Sequence, residues 1–144
     1  MRSQKRSRMH ERPGWDDYWL NIAGAISRRA DCRRRRVGAV LVSEKHLIVA
    51  HGYNGTRPGV DGCIAGACPR GLQTYEQIAE FSDYSNCVST HAELNCLLHA
   101  PRDVTGLTMY ITDKPCANCE KALYNAGIGR VVWPRGELDW RNDE

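Results

Sequence analysis

Two short segments constrain this chain more than any other feature of its sequence. They are His91-Ala92-Glu93 and Pro115-Cys116-Ala117-Asn118-Cys119. Catalytic zinc sites commonly have three nitrogen or sulfur ligands and leave a fourth position open for water. His91, Cys116 and Cys119 form such a ligand set. Glu93 lies close enough in sequence to reach that water and to serve as a general acid or base. The two segments together predict a hydrolytic zinc centre.

A structural zinc site, or a buried histidine beside two core cysteines, would use the same residue types. A structural site normally takes four protein ligands, and it has no use for an acid beside an open position. A histidine, a glutamate two residues later and then a Pro-Cys-x-x-Cys segment is also the order found in zinc-dependent deaminases. The order, the proline and the acid therefore favour a catalytic centre over a structural one.

Length and composition place the chain among ordinary globular proteins. Its 144 residues suffice for one hydrophobic core, and 42% of them are hydrophobic and 26% charged. No apolar run has membrane-spanning length, and no apolar segment follows the positive charges at the N-terminus, so we expect a cytoplasmic protein without a membrane partner. Seven cysteines in such a chain indicate metal ligands rather than disulfides.

The basic N-terminus differs in composition from the rest of the chain. Residues 1–13 are polar, rich in arginine and nearly free of apolar side chains, which predicts a disordered tail ahead of a single domain over residues 14–144. A nucleic-acid-binding arm is the alternative. Because no aromatic residues are interleaved with the basic ones, a solvated tail is the preferred interpretation.

Hydrophobic periodicity predicts alternating helices and strands. Apolar residues recur at helical spacing over 15–30, and 37–42 and 47–50 form two buried strands of a hairpin. Residues 60–86 contain no clear element except a possible short helix at 75–81. Residues 90–100 predict a helix, 107–112 a strand, 115–125 a helix and 128–133 the last strand. After Pro134 the chain is short and acidic, and we expect it to be loose.

This order predicts an α/β fold, a three-layer α/β/α sandwich with a mixed sheet. Strands joined through helices pair in parallel, and the helices pack on the sheet faces. His91 and Glu93 start one helix, and Cys116 and Cys119 start the next. Since helix N-termini converge at the carboxyl ends of parallel strands, the two segments are expected to meet in one crevice.

Over about residues 15–133 the chain resembles the deoxycytidylate deaminases of the cytidine deaminase superfamily. Besides the zinc segments, the shared features are Gly52-Tyr53-Asn54-Gly55, the cysteine-bearing insert before His91, the Val37-Gly38-Ala39-Val40 strand and residues 125–132. The resemblance implies a cytidine deaminase-like fold and zinc-dependent deamination of dCMP to dUMP for thymidylate synthesis. It also implies dCTP and dTTP as effectors, a homo-oligomer, and host cytoplasm as the location if the gene belongs to a phage.

The resemblance also assigns substrate contacts. It implies that Asn54 bonds the deoxyribose, that backbone groups of Ala92 and Cys116 touch the base and the zinc-bound oxygen, and that Arg102 reaches the 5′-phosphate, for which its planar fork is suited. Lys114 departs from the family pattern and can lend charge to the phosphate. As alternatives, Asn54 is a turn residue, and Arg102 and Lys114 are solvated side chains.

Four further cysteines predict a second, structural zinc. Cys32 and Cys63 match ligand positions that the resemblance implies, and we hypothesise that Cys68 and Cys87 replace the histidines that relatives use there. The arginines at 33–36 would offset the negative charge of four thiolates. These arginines could instead bind a regulatory triphosphate or lie in solvent, and the cysteines could be scattered thiols. A fifth strand and final helix known from longer relatives are expected to be shortened or absent.

Other functions use the same zinc segments. A deaminase of tRNA or single-stranded DNA could use the basic tail as its binding arm, but the Gly52–Gly55 loop and the cysteine insert argue against nucleic acid. A deaminase of free cytidine is a weaker alternative. A non-catalytic zinc module that binds nucleic acid would need no acid at Glu93. The sequence therefore favours dCMP as the substrate.

Overall fold

The computed structural model describes residues 11–57, 59–66 and 89–142. Within these ranges the chain forms three helices and five strands. They are α1 (Trp15–Ser27), β1 (Gly38–Val42), β2 (Ile48–Tyr53), α2 (Ala92–Leu98), β3 (Thr108–Ile111), α3 (Ala117–Asn125), β4 (Arg130–Trp133) and β5 (Gly136–Asp139). Most of the predicted tail, the possible helix at 75–81, Cys68 and Cys87 lie outside the described residues.

The strands form one mixed sheet in the order β2-β1-β3-β4-β5. Strand β1 pairs antiparallel with both β2 and β3, and β4 pairs antiparallel with β5. Strands β3 and β4, which α3 connects, are parallel. This arrangement confirms the predicted mixed sheet, because the crossover through α3 imposes parallel pairing while the hairpins impose antiparallel pairing.

Alternating side chains of β1 separate the core into two layers. Ala39 and Leu41 face α2 and α3, whereas Val40 and Val42 face α1. All five residues of β1 are buried, as expected for a central strand covered on both faces. The helices therefore lie on both sides of the sheet and confirm the three-layer α/β/α sandwich.

Two segments differ from the expectation. Strand β2 is an edge strand rather than a fully buried one, and Ile48 is 52% exposed. The acidic segment after Pro134 is not loose, because it forms β5 against β4 through a two-residue turn. Leu138 packs on the core and Arg130 pairs with Glu137, so the strand is held from both of its faces. Its polar composition reflects exposure of alternate residues and not an absence of structure.

Candidate active site

The predicted zinc ligands meet where two helices begin. His91 immediately precedes α2, Cys116 immediately precedes α3, and Cys119 lies in the first turn of α3. The His91 Nδ1 atom is 3.1 Å from Cys119 Sγ and 3.7 Å from Cys116 Sγ. One ligand atom from each of the three residues lies within 4.8 Å of the others. A tetrahedral zinc with ordinary bond lengths separates its ligands by roughly 3.5–3.8 Å, so this arrangement is suited to the ion.

The chemistry of the donor set also fits zinc. Burial lowers the pKa of His91, and the charge of Arg35 lowers it further, so the imidazole is neutral and can offer a lone pair. Burial raises the pKa of the Cys119 thiol, with further contributions from Glu93 and Cys116. A thiol in that environment ionises when a cation takes up the negative charge, and metal binding is then coupled to proton release.

Glu93 lies in the first turn of α2, and its side chain lines the same pocket as His91 and Cys116. The residue is only 4% exposed. Burial raises the pKa of its carboxyl, against smaller opposing effects from its own backbone N–H and from Arg35. A buried carboxyl with a raised pKa beside a metal site is suited to taking up and returning a proton near neutral pH.

An asparagine that the sequence interpretation did not single out holds this helix against the loop after β2. The Asn95 Nδ2 group donates to the carbonyl of Tyr53 at 2.8 Å and is also within 3.3 Å of the carbonyls of Gly55 and Thr90. Gly55 and Thr90 exchange two backbone hydrogen bonds as well. These bonds therefore hold the loop against the start of α2. The signal available in the sequence was a polar residue among the apolar residues of the predicted helix over 90–100.

A pocket opens in front of these residues and includes about 740 Å³ of space when its open mouth is counted. Its lining includes residues from the loops before β1, after β2 and after β3. They are Cys32, Arg35, Val37, Asn54, Ser89, His91, Ala92, Glu93, Ile111, Asp113, Lys114 and Cys116.

The chain matches a known protein family over most of its length. A family model described as the cytidine and deoxycytidylate deaminase zinc-binding region matches residues 13–134. The deoxycytidylate deaminase of Mycobacterium phage D29 is 43% identical over 129 residues, which cover 86% of this chain and 97% of that protein. The chain belongs to the cytidine and deoxycytidylate deaminase family.

Two further relatives extend this comparison. The deoxycytidylate deaminase of Saccharomyces cerevisiae is 37% identical over 92% of this chain, which spans only 40% of the yeast protein. The crystal structure of the dCMP deaminase from cyanophage S-TIM5 in complex with dCMP and dUMP superposes with a TM-score of 0.64 at 25% identity. That superposition covers 86% of this chain and 83% of the cyanophage chain. The family and the convergence of His91, Cys116 and Cys119 establish a catalytic zinc.

Some of the predicted substrate residues of this deaminase line the pocket, and one does not. Asn54, Ala92 and Lys114 line the pocket, but Arg102 does not. Arg102 follows the C-terminal end of α2, whereas the site is at its N-terminal end, and a seven-residue helix is roughly 10 Å long. The Arg102 Nε group donates to the carbonyl of Asp103. Arg102 is therefore not part of the pocket wall within the described residues, and its phosphate contact stays a prediction.

The side chain of Asn54 is engaged with the backbone of the loop before β1. Its Oδ1 atom accepts from the Val37 N–H at 2.8 Å, and its Nδ2 group donates to the Arg35 carbonyl at 2.8 Å. The residue is 8% exposed. A carboxamide has two N–H donors and two acceptor lone pairs, so these two bonds leave capacity for a ligand. Asn54 thus shapes the pocket wall. This role goes beyond that of a simple turn residue.

Cys32 and Cys63 accept hydrogen bonds from consecutive backbone amides. The Arg33 N–H donates to Cys63 Sγ at 3.1 Å, and the N–H groups of Arg34 and Arg35 donate to Cys32 Sγ at 3.4 Å each. Among the described residues the only group of three or more metal-ligating side chains is His91, Cys116 and Cys119. The predicted second zinc also requires Cys68 and Cys87, which lie outside those residues, so it stays a prediction.

Proposed function

We propose that this chain is a zinc-dependent hydrolase that converts dCMP to dUMP and ammonia, so that dUMP becomes available for thymidylate synthesis. The observation that carries the proposal is the convergence of His91, Cys116 and Cys119 beside buried Glu93 in one pocket. The printed names of the phage D29 relative and of the cyanophage complex with dCMP and dUMP support this substrate.

The reaction requires water to add to C4 of cytosine and the amino group to leave. When bound, zinc supplies a water of lowered pKa and balances negative charge. Glu93 takes a proton from that water and delivers it to N3 of the ring as the oxygen bonds to C4. Glu93 then carries the second proton to the amine, the C4–N bond breaks, and ammonia departs as the uracil ring forms. Its burial supports this double role, since the carboxyl must be protonated and deprotonated in turn.

Three pocket residues are proposed to orient the substrate. The backbone of Ala92 lies at the first position of α2, where N–H groups have no partner within the helix, and it faces the base. Asn54 uses its remaining donor and acceptor capacity for the deoxyribose. Lys114 lines the mouth and contributes positive charge toward the phosphate.

A second zinc held by Cys32, Cys63, Cys68 and Cys87 is proposed as a structural element. The three backbone N–H groups that point at Cys32 and Cys63 support it, because such donors stabilise the thiolate form of a metal-bound cysteine. Cys32 itself lines the pocket. The site would therefore fix the loop that carries Arg35.

Regulation, assembly and location are proposed from the family alone. We expect dCTP and dTTP to act as effectors, the chain to form a homo-oligomer, and the protein to work in the cytoplasm, which is the host cytoplasm if a phage encodes it. None of the helices in the described part of the chain combines the length and apolar character needed to span a membrane.

A deamination assay tests the proposed function. Zinc-replete protein would be compared on dCMP, CMP, deoxycytidine and a cytosine-containing oligonucleotide, each with and without dCTP. We expect turnover of dCMP well above that of the other substrates. Turnover of the oligonucleotide alone would contradict the proposal in favour of a polynucleotide deaminase. Salt-sensitive retention on DNA without any turnover would indicate a zinc nucleic-acid-binding module instead.

A further inference from the structure

One polar side chain bridges the two elements that carry the pocket wall and the catalytic acid. Asn95 lies half-buried in α2, four residues after the zinc ligand His91. Its Nδ2 group donates to the Tyr53 carbonyl at 2.8 Å, and it lies 3.3 Å from the Gly55 carbonyl oxygen and 3.2 Å from that of Thr90. The contacts therefore join the loop after β2 to the peptide group that immediately precedes His91.

The three carbonyl oxygens around this nitrogen determine the kind of side chain that position 95 needs. A carbonyl oxygen only accepts, whereas a carboxamide has two N–H donors. An aspartate or a leucine of similar size would leave these carbonyls without that partner. Within a helix an asparagine is otherwise unfavourable, because its side chain competes with the backbone hydrogen bonds. Asn95 is therefore suited to contacts outside the helix and not to the helix itself.

The contacts of Asn95 fix the end of α2 that carries the catalytic groups. The Asn95 backbone N–H donates to the His91 carbonyl at 2.9 Å, and the side chain reaches the Thr90 carbonyl. The peptide groups on both sides of His91 are thus bonded by one residue. Glu93 lies between His91 and Asn95 in the first turn of α2. The direction from which Glu93 enters the pocket consequently depends on these bonds.

The other contacts of Asn95 fix the pocket wall that carries Asn54. The two loop carbonyls belong to the residues on either side of Asn54. On its far side, Asn54 accepts from the Val37 N–H through Oδ1 at 2.8 Å and from the Asp31 N–H through its carbonyl at 2.9 Å. Asn54 is therefore held between the segment before β1 and Asn95. Because Asn54 and Glu93 line the same pocket, Asn95 sets the separation between them.

We propose that Asn95 is a positioning residue for the deamination, which aligns the nucleotide held by Asn54 with the carboxyl of Glu93. The inference rests on the proposed function, since it takes dCMP as the occupant of the pocket. Within the described part of the chain, Asn95 is not among the residues that line the pocket, so it acts through the other two. Proton transfer depends on close alignment, and a displacement of about 1 Å can cost roughly 100-fold in rate.

The first test is Asn95→Asp, because a carboxylate keeps the shape of the side chain but has no N–H donor. We expect kcat for dCMP, counted per zinc-loaded chain, to fall about 10- to 100-fold. The inhibition constant of the product dUMP should change by less than about threefold, because contacts that do not depend on alignment remain. An equal loss of dUMP binding and of kcat would indicate a collapsed pocket and would overturn the proposal.

Asn125→Asp is the matched control. The Asn125 Nδ2 group also donates to a backbone carbonyl, that of Lys121 at 2.9 Å, but it lies exposed at the end of α3 and outside the pocket. This variant should keep both kcat and the dUMP inhibition constant. Zinc content and thermal unfolding are measured for every variant. A less stable Asn95→Asp with normal kcat per zinc-loaded chain would show that Asn95 serves stability alone.

Asn95→Ser provides a second variant if the aspartate prevents folding, since serine is smaller and carries no charge. The same fall in kcat with little change in dUMP binding is expected. In the Asn54→Ala background, Asn95→Ser should cost little more, because residues that act through one contact are not additive. Losses that multiply, or an unchanged kcat in both Asn95 variants, would overturn the positioning role. Absence of dCMP turnover in wild type would instead contradict the proposed function itself.

Discussion

Gly52 in β2 packs directly against the backbone of Cys96 in α2. A Cβ atom at Gly52 would lie 2.5 Å from the Cys96 nitrogen and 2.6 Å from the Ala92 carbonyl oxygen. Both are backbone atoms of the helix that carries Glu93, so neither can move aside without shifting the helix. The glycine therefore allows α2 to approach the sheet closely enough to place Glu93 in the pocket.

Substitution of Gly52 by alanine is expected to disturb both stability and the site. Overpacking of this kind commonly costs about 1–3 kcal/mol in the free energy of unfolding, and a backbone contact this short belongs at the upper end. Gly24→Ala is the matched control, because nothing lies within 4 Å of a Cβ placed there in the middle of α1. That change should stabilise the protein by about 0.5–1 kcal/mol. Chemical denaturation measures the free energy of unfolding of both variants. An unchanged value for Gly52→Ala would refute the close contact.

Glu93→Gln is expected to retain zinc and lose nearly all turnover of dCMP. The amide keeps the size of the side chain but cannot take up and return a proton, so kcat should fall by about 10²–10⁴-fold or more. Glu44→Gln, in the exposed turn between β1 and β2, removes the same charge outside the pocket and should leave kcat unchanged. Metal content by mass spectrometry accompanies the steady-state assay. A Glu93 variant with near-normal kcat would remove this residue from the mechanism.

Zinc stoichiometry tests the proposed second site. Wild type should contain two zinc ions per chain, and Cys63→Ser should contain one while keeping the catalytic ion. Because the Arg35 amide donates to Cys32 Sγ, loosening this segment should also raise KM for dCMP.

The control for that variant is Cys96→Ser, which alters a thiol buried in the core. Burial raises the pKa of Cys96 to about 12, so this thiol stays protonated and is a poor metal ligand. It should retain both metal ions even if its stability decreases. One zinc per chain in wild type would eliminate the second site.

The ion pair between Asp16 and Arg130 predicts a pH-dependent contribution to stability. Arg130 donates to both Asp16 oxygens at 2.9 and 2.8 Å, and this contact lowers the pKa of Asp16 below its ordinary value of 3.8, with burial opposing it and Tyr110 assisting. Because the pKa of Asp16 is lower in the folded state than in the unfolded state, the ion pair contributes stability at pH values above the unfolded-state pKa. That contribution is lost as the pH falls through the folded value.

Asp16→Asn should therefore lower the free energy of unfolding by about 1 kcal/mol at pH 7, a modest amount because the Asp16 side chain is 45% exposed. The difference from wild type should shrink below about pH 4. Asp17→Asn removes an equivalent charge from the same helix end and controls for the helix dipole. Denaturant titrations at several pH values measure both variants. A difference that is constant with pH would contradict the ion pair.

The zinc ligands can be predicted from the sequence because their chemistry is local. His91 and Glu93 are two residues apart, and Cys116 and Cys119 lie within one helical turn, so the spacing within each pair follows from the chain itself. The same holds for β1, whose unbroken apolar run predicts a strand buried on both faces. The alternation of helices and strands then implies one crevice for both pairs.

The tertiary structure decided the features that depend on the direction of a side chain and on partners far away in sequence. Four consecutive arginines are chemically alike, and only the loop that wraps Cys32 and Cys63 turns Arg35 toward Asp113, 78 residues away in sequence. Arg102 follows α2 and lies outside the pocket wall within the described residues. Strand β5 likewise depends on pairing with β4 and on the packing of Leu138. Composition determines which chemistry a chain can perform, whereas the path of the backbone decides which of several identical side chains reaches the pocket.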